Sequence, residues 1–143
     1  MPAAFQLVGP NGAVPVSVDT TLSSPEQTVV TLTFPPGPGV ESNGSLKNGL
    51  YALTILSTKV STGGINLDGD GNGTVGPDYV LNFHRLFGDA NGDLSVNSTD
   101  FSAFRAVFGT SSGASTFDTD GNNVVDATDF VQFRLTFGTT LVP

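Results

Sequence analysis

The chain contains no cysteine and no tryptophan, and basic side chains are few. The lack of cysteine excludes disulfides, thiolate nucleophiles and zinc sites that use cysteine ligands. Five Lys and Arg residues against thirteen Asp and Glu residues give a formal net charge of −8. Such a charge repels phosphate backbones and anionic membrane surfaces and attracts cations. A nucleic-acid partner is therefore not expected.

Long hydrophobic runs are also missing. No apolar stretch approaches the roughly 18 to 20 residues that a membrane-spanning helix needs, so no membrane span is expected. The first five residues have neither the basic segment nor the apolar core of an export signal. If the protein is secreted, its signal lies outside this chain. The 143 residues include eleven Phe and are 38% hydrophobic, which is enough for one ordinary domain or two small ones.

The N-terminal part has the pattern of β-structure. Apolar and polar residues alternate over residues 14–18 and 30–34, and residues 50–60 are rich in β-branched side chains. Residues 79–88 can form a strand or a short helix, and we favour a strand because its aromatic side chains fall on alternate positions. Clusters of Pro and Gly separate these runs. The pattern predicts an antiparallel β-sandwich over residues 1–88, followed by a second domain at residues 89–143.

The second domain contains an internal repeat. A shift of 29 positions places Asp89 on Asp118 and keeps the aspartates, glycines and phenylalanines that follow in register. Each copy has a polar loop of about 12 residues followed by a segment with Phe at helical spacings of three and four. The glycines at 109 and 138 are suited to end a helix in the left-handed conformation. The repeat therefore predicts two loop–helix units.

The spacing of oxygen-bearing residues in both loops fits calcium. A 12-residue loop binds this cation through positions 1, 3, 5, 7, 9 and 12, with position 7 using its backbone carbonyl. In the first loop these positions hold Asp89, Asn91, Asp93, Ser95, Asn97 and Asp100. In the second loop they hold Asp118, Asp120, Asn122, Val124, Asp126 and Asp129. Asp, Asn and Gly also favour ordinary turns, but turns do not require an acid at position 12 in both copies, so two calcium sites are predicted.

Position 6 of each loop departs from the usual pattern. This position normally holds Gly because its φ is positive, whereas here it holds Leu94 and Asn123. Asn tolerates the left-handed region, and Leu is strained there by about 1 kcal/mol or more. The first loop is therefore predicted to be the weaker or the distorted site. Val96 and Val125 at position 8 are predicted to pair with each other through their backbones.

The duplicated motif D-x-N-x-D-x-x-V-N-S-T-D-F, with a helix after each loop and none before it, resembles the dockerin module of bacterial polysaccharide-degrading assemblies. The resemblance implies calcium binding and a cohesin-like protein partner. It also implies partner contacts by residues 10 and 11 of each loop, which are Ser98, Thr99, Ala127 and Thr128. The same residues lie where a helix N-terminus favours hydroxyl groups, so capping is the competing interpretation. Arg105 and Arg134 either cover the flanks of the helices, pair with carboxylates or contact the partner.

A third acidic stretch, residues 67–79, resembles the loops only in part. Asp68, Asp70 and Asn72 occupy positions 1, 3 and 5, and Thr74 follows at position 7. Position 12 is Tyr79, with Asp78 one place early, and no helical pattern follows. This stretch is therefore either a turn between strands or a third calcium site.

Further expectations concern function. The first domain resembles the Ig-like domain that precedes dockerin-like repeats in large secreted bacterial proteins, with an opening strand missing before Ala3 and an exposed sheet edge that favours self-association. We expect a non-catalytic, calcium-stabilised module, extracellular or at the cell surface. It would serve docking, cohesion or attachment through a cohesin-like protein or neighbouring domains of a larger chain. The alternative is a carbohydrate-binding module or an accessory part of a polysaccharide-degrading enzyme. His84 is expected to have a structural role or to be exposed.

Overall fold

The computed structural model describes residues 4–111 and 116–143. The chain divides into two compact units, Met1–Phe83 and His84–Pro143. Antiparallel sheets form the N-terminal part and two helices lie near the C-terminus, which confirms the predicted mixture of β and α structure. None of the helices in the described residues is long and apolar enough to cross a bilayer.

The first unit contains short strands. They are β1 (Phe5–Gly9), β2 (Gly12–Val14), β3 (Ser17–Asp19), β4 (Thr31–Thr33), β5 (Gly49–Ile55), β6 (Ser61–Thr62), β7 (Ile65–Asn66) and β8 (Tyr79–Arg85), with a 3-10 turn at Ser57–Lys59. The largest sheet has the order β2-β1-β5-β8. In its register Leu7 lies opposite Val14 on one side and Leu53 on the other. The strand favoured for residues 79–88 is thus confirmed over Tyr79–Arg85.

The core of the first unit lies on one face of this sheet. Its buried members are Leu7, Val14, Val40, Leu46 and Tyr51. The ring of Tyr51 stacks on Phe83 with centroids 5.4 Å apart, and its hydroxyl donates to the carbonyl of Lys47 at 2.6 Å. Tyrosine can be buried here because its polar end has found an acceptor.

The remaining strands form two small sheets. β3 pairs with β4, and β6 pairs with β7. The alternation predicted over residues 14–18 is divided between β2 and β3 at Pro15, because proline has no N–H for a sheet ladder, and Val18 is 44% exposed. The Ig-like character of this unit stays a prediction.

Each helix of the second unit begins at the end of a polar loop. Helix α1 spans Ser98–Val107 and helix α2 spans Ala127–Thr136. Gly109 and Gly138 follow them with φ of 78° and 84°, so the predicted left-handed helix ends are confirmed. The helices pack through Phe104 and Phe133, which are each 1% exposed and whose rings lie 5.0 Å apart.

The phenylalanines of the helices do not all belong to the core. The buried cluster contains Leu86, Phe87, Val96, Phe104, Phe117, Val125 and Phe133. Phe108 and Phe137 are each 50% exposed and Phe130 is 38% exposed. The prediction that the whole Phe series is core is therefore wrong, because the helices are short and only one turn of each faces the other unit of the repeat.

Val96 and Val125 are fully buried but do not pair with each other. Val96 exchanges backbone hydrogen bonds with Gly138 and Thr139, which follow α2. Val125 exchanges them with Gly109 and Thr110, which follow α1. The predicted pairing of the two valines is therefore wrong: each loop is joined instead to the segment that leaves the other helix, and this pairing satisfies the valines' N–H and C=O groups.

Candidate metal centre

The aspartate at position 1 folds each loop around its own carboxylate. In the first loop (residues 89–100), Asp89 accepts hydrogen bonds from the backbone N–H groups of Gly92, Asp93 and Leu94 at 2.8, 3.1 and 3.0 Å. In the second loop (residues 118–129), Asp118 accepts from Gly121 at 2.8 Å and Asn123 at 2.9 Å. Several donors directed at one carboxylate hold it in a fixed orientation.

Positions 3 and 5 continue the same inward arrangement. Asn91 and Asp120 at position 3 each accept from the N–H two residues later at 3.1 Å. Asp93 and Asn122 at position 5 accept from Ser95 at 2.9 Å and Val124 at 2.7 Å. Every second side chain is thereby turned towards the inside of its loop.

The aspartates at position 12 are fully buried. Asp100 accepts from the N–H of Ala90 at 2.9 Å and of Asn97 at 2.8 Å. Asp129 accepts from Thr119 and Asp126, both at 2.8 Å. Each carboxylate has 0% exposure and joins position 2 to position 9, so it closes the loop. Burial of an ionised carboxylate is costly unless it has partners, and both loops supply them at the same positions.

Position 9 is the N-cap of the helix that follows. Asn97 accepts from the N–H of Thr99 at 2.8 Å, and Asp126 accepts from Thr128 at 2.7 Å. The Thr128 N–H lowers the pKa of the Asp126 carboxyl below its usual value. The side-chain oxygens that accept at these caps belong to Asn97 and Asp126. Assigning the caps to residues 10 and 11 is therefore wrong by one position.

Three acids of the second loop converge. One carboxylate oxygen from each of Asp118, Asp120 and Asp129 lies within 4.8 Å of the other two. Negative charges this close repel each other, and a divalent cation between them reverses the sign of the interaction. The residues therefore fit a hard, oxygen-ligated ion. In the first loop the corresponding position 3 is the neutral Asn91, so its equivalent trio has one charge fewer.

Position 6 has the strained conformation in both loops. Leu94 has φ of 70° and Asn123 has φ of 66°. These are the described non-glycine residues with positive φ, and both donate their N–H to the position 1 aspartate. The backbone thus takes the conformation that the loop requires even where Leu occupies the position.

The third loop, residues 68–79, copies the first half of the other two. Asp68 accepts from the N–H groups of Gly71, Asn72 and Gly73 at 2.9, 3.3 and 2.7 Å. The hydrogen bond from Gly73 is the main reason that the pKa of Asp68 is lowered. Gly73 at position 6 has φ of 86°, and Thr74 donates its N–H to Asn72 at 2.8 Å.

The second half of the third loop is different. Asp78 accepts from the N–H of Ser57 at 2.7 Å and does not close the loop as Asp100 and Asp129 do. Closure is instead by backbone, because a Cβ at Gly69 would collide with the carbonyl oxygen of Pro77. The structure thus brings Asp68, Asp70 and Asn72 together and directs Asp78 elsewhere.

The residues considered for partner contact are all exposed. Ser98 and Thr99 are the first residues of α1, and Ala127 and Thr128 are the first of α2. Arg134 lines a groove of about 190 Å³ together with Phe101, Phe130, Phe133 and Phe137. Arg105 is exposed in the corresponding last turn of α1. These positions are accessible to another protein.

One site residue was not predicted. His84 was expected to be structural or exposed, yet its Nε2 lies 2.9 Å from Oδ2 of Asp89. The Asp89 side chain is 0% exposed and that of His84 is 24% exposed. The signal in the sequence is the short separation of five residues across a turn, which brings the end of β8 back towards the first loop.

The fold and the loops define a class of protein module: a tandem pair of loop–helix units built to enclose divalent cations. Residues 87–134 match the family model for the dockerin type I domain. The match covers about a third of the chain and confirms the dockerin-like resemblance of the repeat. No curated protein sequence and no solved structure matches the chain.

The match fixes the general character of this segment. Dockerin domains bind calcium and are non-catalytic modules that dock onto cohesin-type partners. The segment from 87 to 134 includes both loops and most of both helices.

Proposed function

We propose that this chain is a calcium-stabilised docking segment of an extracellular bacterial protein, with the docking activity in residues 89–143 and a separate Ig-like domain in residues 1–88. The convergence of Asp118, Asp120 and Asp129 carries the proposal, because three carboxylate oxygens within 4.8 Å of one another suit a divalent cation. The dockerin match over residues 87–134 supports it independently.

Two calcium ions are proposed. The first would be held by Asp89, Asn91, Asp93, Asn97 and Asp100 with the carbonyl of Ser95. The second would be held by Asp118, Asp120, Asn122, Asp126 and Asp129 with the carbonyl of Val124. Calcium is favoured over magnesium because six or more oxygens are offered by flexible side chains. The third loop lacks a closing carboxylate, so we propose that it binds calcium more weakly than either.

In this proposal calcium acts on folding and not on chemistry. An ion that binds only the folded state stabilises it by about 2.7 kcal/mol at a hundredfold excess over Kd. That is a substantial share of the stability of a unit this small. Millimolar calcium outside the cell fills sites of moderate affinity, whereas the much lower cytosolic level does not. The proposed extracellular location follows from this requirement.

Calorimetric titration of calcium into chelator-stripped protein tests the metal sites. We expect two dominant binding steps in the parent chain, and loss of one step in Asp118→Ala and in Asp129→Ala. Loss of one carboxylate ligand should weaken the site by about 100-fold, or about 2.7 kcal/mol. Asp19→Ala is the matched control, because Asp19 is exposed in β3 and the change in charge is the same. Two unaltered steps in the loop variants would show that the ligands are misassigned.

The docking activity is tested on a native gel. A cohesin-type domain should retard the parent chain, and a chelator should abolish the shift. The alternative of carbohydrate binding predicts retardation by a soluble glycan that survives chelation. The structure gives that alternative little support, because Tyr51 is buried against Phe83 and offers no exposed aromatic platform.

A further inference from the structure

The two loops are not equivalent at position 1. Asp118 of the second loop is held by two backbone N–H groups. Asp89 of the first loop is held by three, and in addition by the side chain of His84 at 2.9 Å. The residue that the 29-position repeat places opposite His84 is Gly113, which has no side chain to donate.

His84 contacts the oxygen of Asp89 that carries the most strain-sensitive bond. Oδ2 accepts both from His84 Nε2 and from the N–H of Leu94. Leu94 is the residue forced to φ of 70°, whereas the second loop has Asn123 in its place, which tolerates this region. A second donor on Oδ2 fixes the rotation of the carboxylate against which Leu94 is held. The loop with the unfavourable residue is therefore the loop with the additional support.

We propose that His84 is a positioning residue for the first calcium site. It orients the buried Asp89 carboxylate before the ion arrives and thereby offsets the handicap of Leu94. Donors to a ligating carboxylate set its direction and reduce the ordering that binding must supply. The role requires a hydrogen on Nε2, which the Nε2–H tautomer and the imidazolium both provide. The inference rests on the proposed function, since it assumes that the first loop binds calcium.

The test follows calcium at each loop separately in the full chain. Two-dimensional amide NMR of Gly92 and Gly121 reports on the two loops, because these N–H groups donate to the position 1 aspartates. In His84→Leu we expect calcium at Gly92 to bind about tenfold more weakly, with Gly121 changed by less than about twofold. His84→Gln keeps an N–H donor near the position of Nε2 and should restore the affinity.

Every outcome decides the matter. If Leu and Gln variants lose affinity equally, His84 acts by packing and the inference is overturned. Equal weakening at Gly92 and Gly121 would show a general loss of structure and would also overturn it, as would unchanged or tighter binding at Gly92 in His84→Leu. If the parent chain shows no response to calcium at either glycine, the proposed function itself fails. If the parent chain responds at both and His84→Leu leaves them unchanged, only the role of His84 fails.

Discussion

The backbone N–H of Gly138 donates to the carbonyl oxygen of Val96 across 2.8 Å, so the residue that ends α2 is fastened to the first loop. The reciprocal bond runs from Gly109 to Val125, also at 2.8 Å. Leu141 adds a bond from its N–H to Leu94, and its side chain packs against the core of the second unit. The last residues thus belong to the structure of a loop more than 40 positions earlier.

Removal of residues 139–143 should therefore weaken the first loop. The deletion eliminates the bonds from Thr139 and Leu141 and the apolar contact of Leu141, and we expect a loss of about 2 kcal/mol in the free energy of unfolding. Thermal melting in excess calcium measures it. Deletion of residues 142 and 143 alone is the control, because Val142 is 80% exposed. Equal melting temperatures for the two deletions would contradict this account.

Exchange of the residues at position 6 should move calcium affinity in opposite directions. Leu94→Asn places a tolerant residue at φ of 70° and should tighten the first loop by roughly fivefold, or about 1 kcal/mol. Asn123→Leu should weaken the second loop by a similar factor. Both are measured by calcium titration of the single variants. A weaker first loop in Leu94→Asn would mean that the contacts of the leucine side chain outweigh its backbone strain.

Stability should depend on Phe133 far more than on Phe137, although both are in or beside α2. Phe133 is 1% exposed and Phe137 is 50% exposed. We expect Phe133→Ala to cost about 3 to 5 kcal/mol and Phe137→Ala less than about 1.5 kcal/mol. Urea unfolding with calcium present, followed by helical circular dichroism, separates them. Similar midpoints would show that the groove between the helices is not the exposed surface described above.

Acid should disorder the third loop through Asp68. The Gly73 N–H lowers the pKa of Asp68 below its usual value of 3.8, with burial acting in the opposite direction. A carboxylate with a lowered pKa in the folded state contributes stability that is complete above its unfolded pKa. That contribution is lost as the pH falls through the folded pKa. The expected loss therefore lies below 3.8.

A carbon NMR titration of the Asp68 carboxyl from about pH 6 to about pH 2 measures this midpoint. A peptide of residues 66–75 is the control, because it has the same neighbours without the folded loop. Equal midpoints in peptide and protein would show that the Asp68 hydrogen bonds do not form in solution. A further fall in the midpoint on addition of calcium would identify the third loop as a metal site.

The loops were predictable from the sequence because their rules are local. Spacing alone predicts which residues turn inwards, and Asp100 and Asp129 are buried at the position where an acid closes the loop. Positive φ at Leu94 follows from its position in the loop despite its side chain. The helix ends at Gly109 and Gly138 are local in the same sense.

The errors concern partners that are distant in sequence or belong to the other copy. A repeat predicts that Val96 and Val125 have the same environment, but not that each pairs with the exit of the opposite helix. The contact of His84 with Asp89 depends on how β8 ends, which no spacing rule describes. The exposed positions of Phe108 and Phe137 depend on where two short helices stop touching, and that is a property of their packing.

The reciprocal fastening of Gly138 to Val96 and of Gly109 to Val125 also bears on ancestry. One isolated copy of 29 residues would have a loop edge with unanswered amide groups and a helix end with nothing to hold. Two such copies satisfy each other, whether they share one chain or meet as separate molecules. A self-pairing peptide is thus a sufficient ancestor, and fusion of its gene to itself would have preserved every contact.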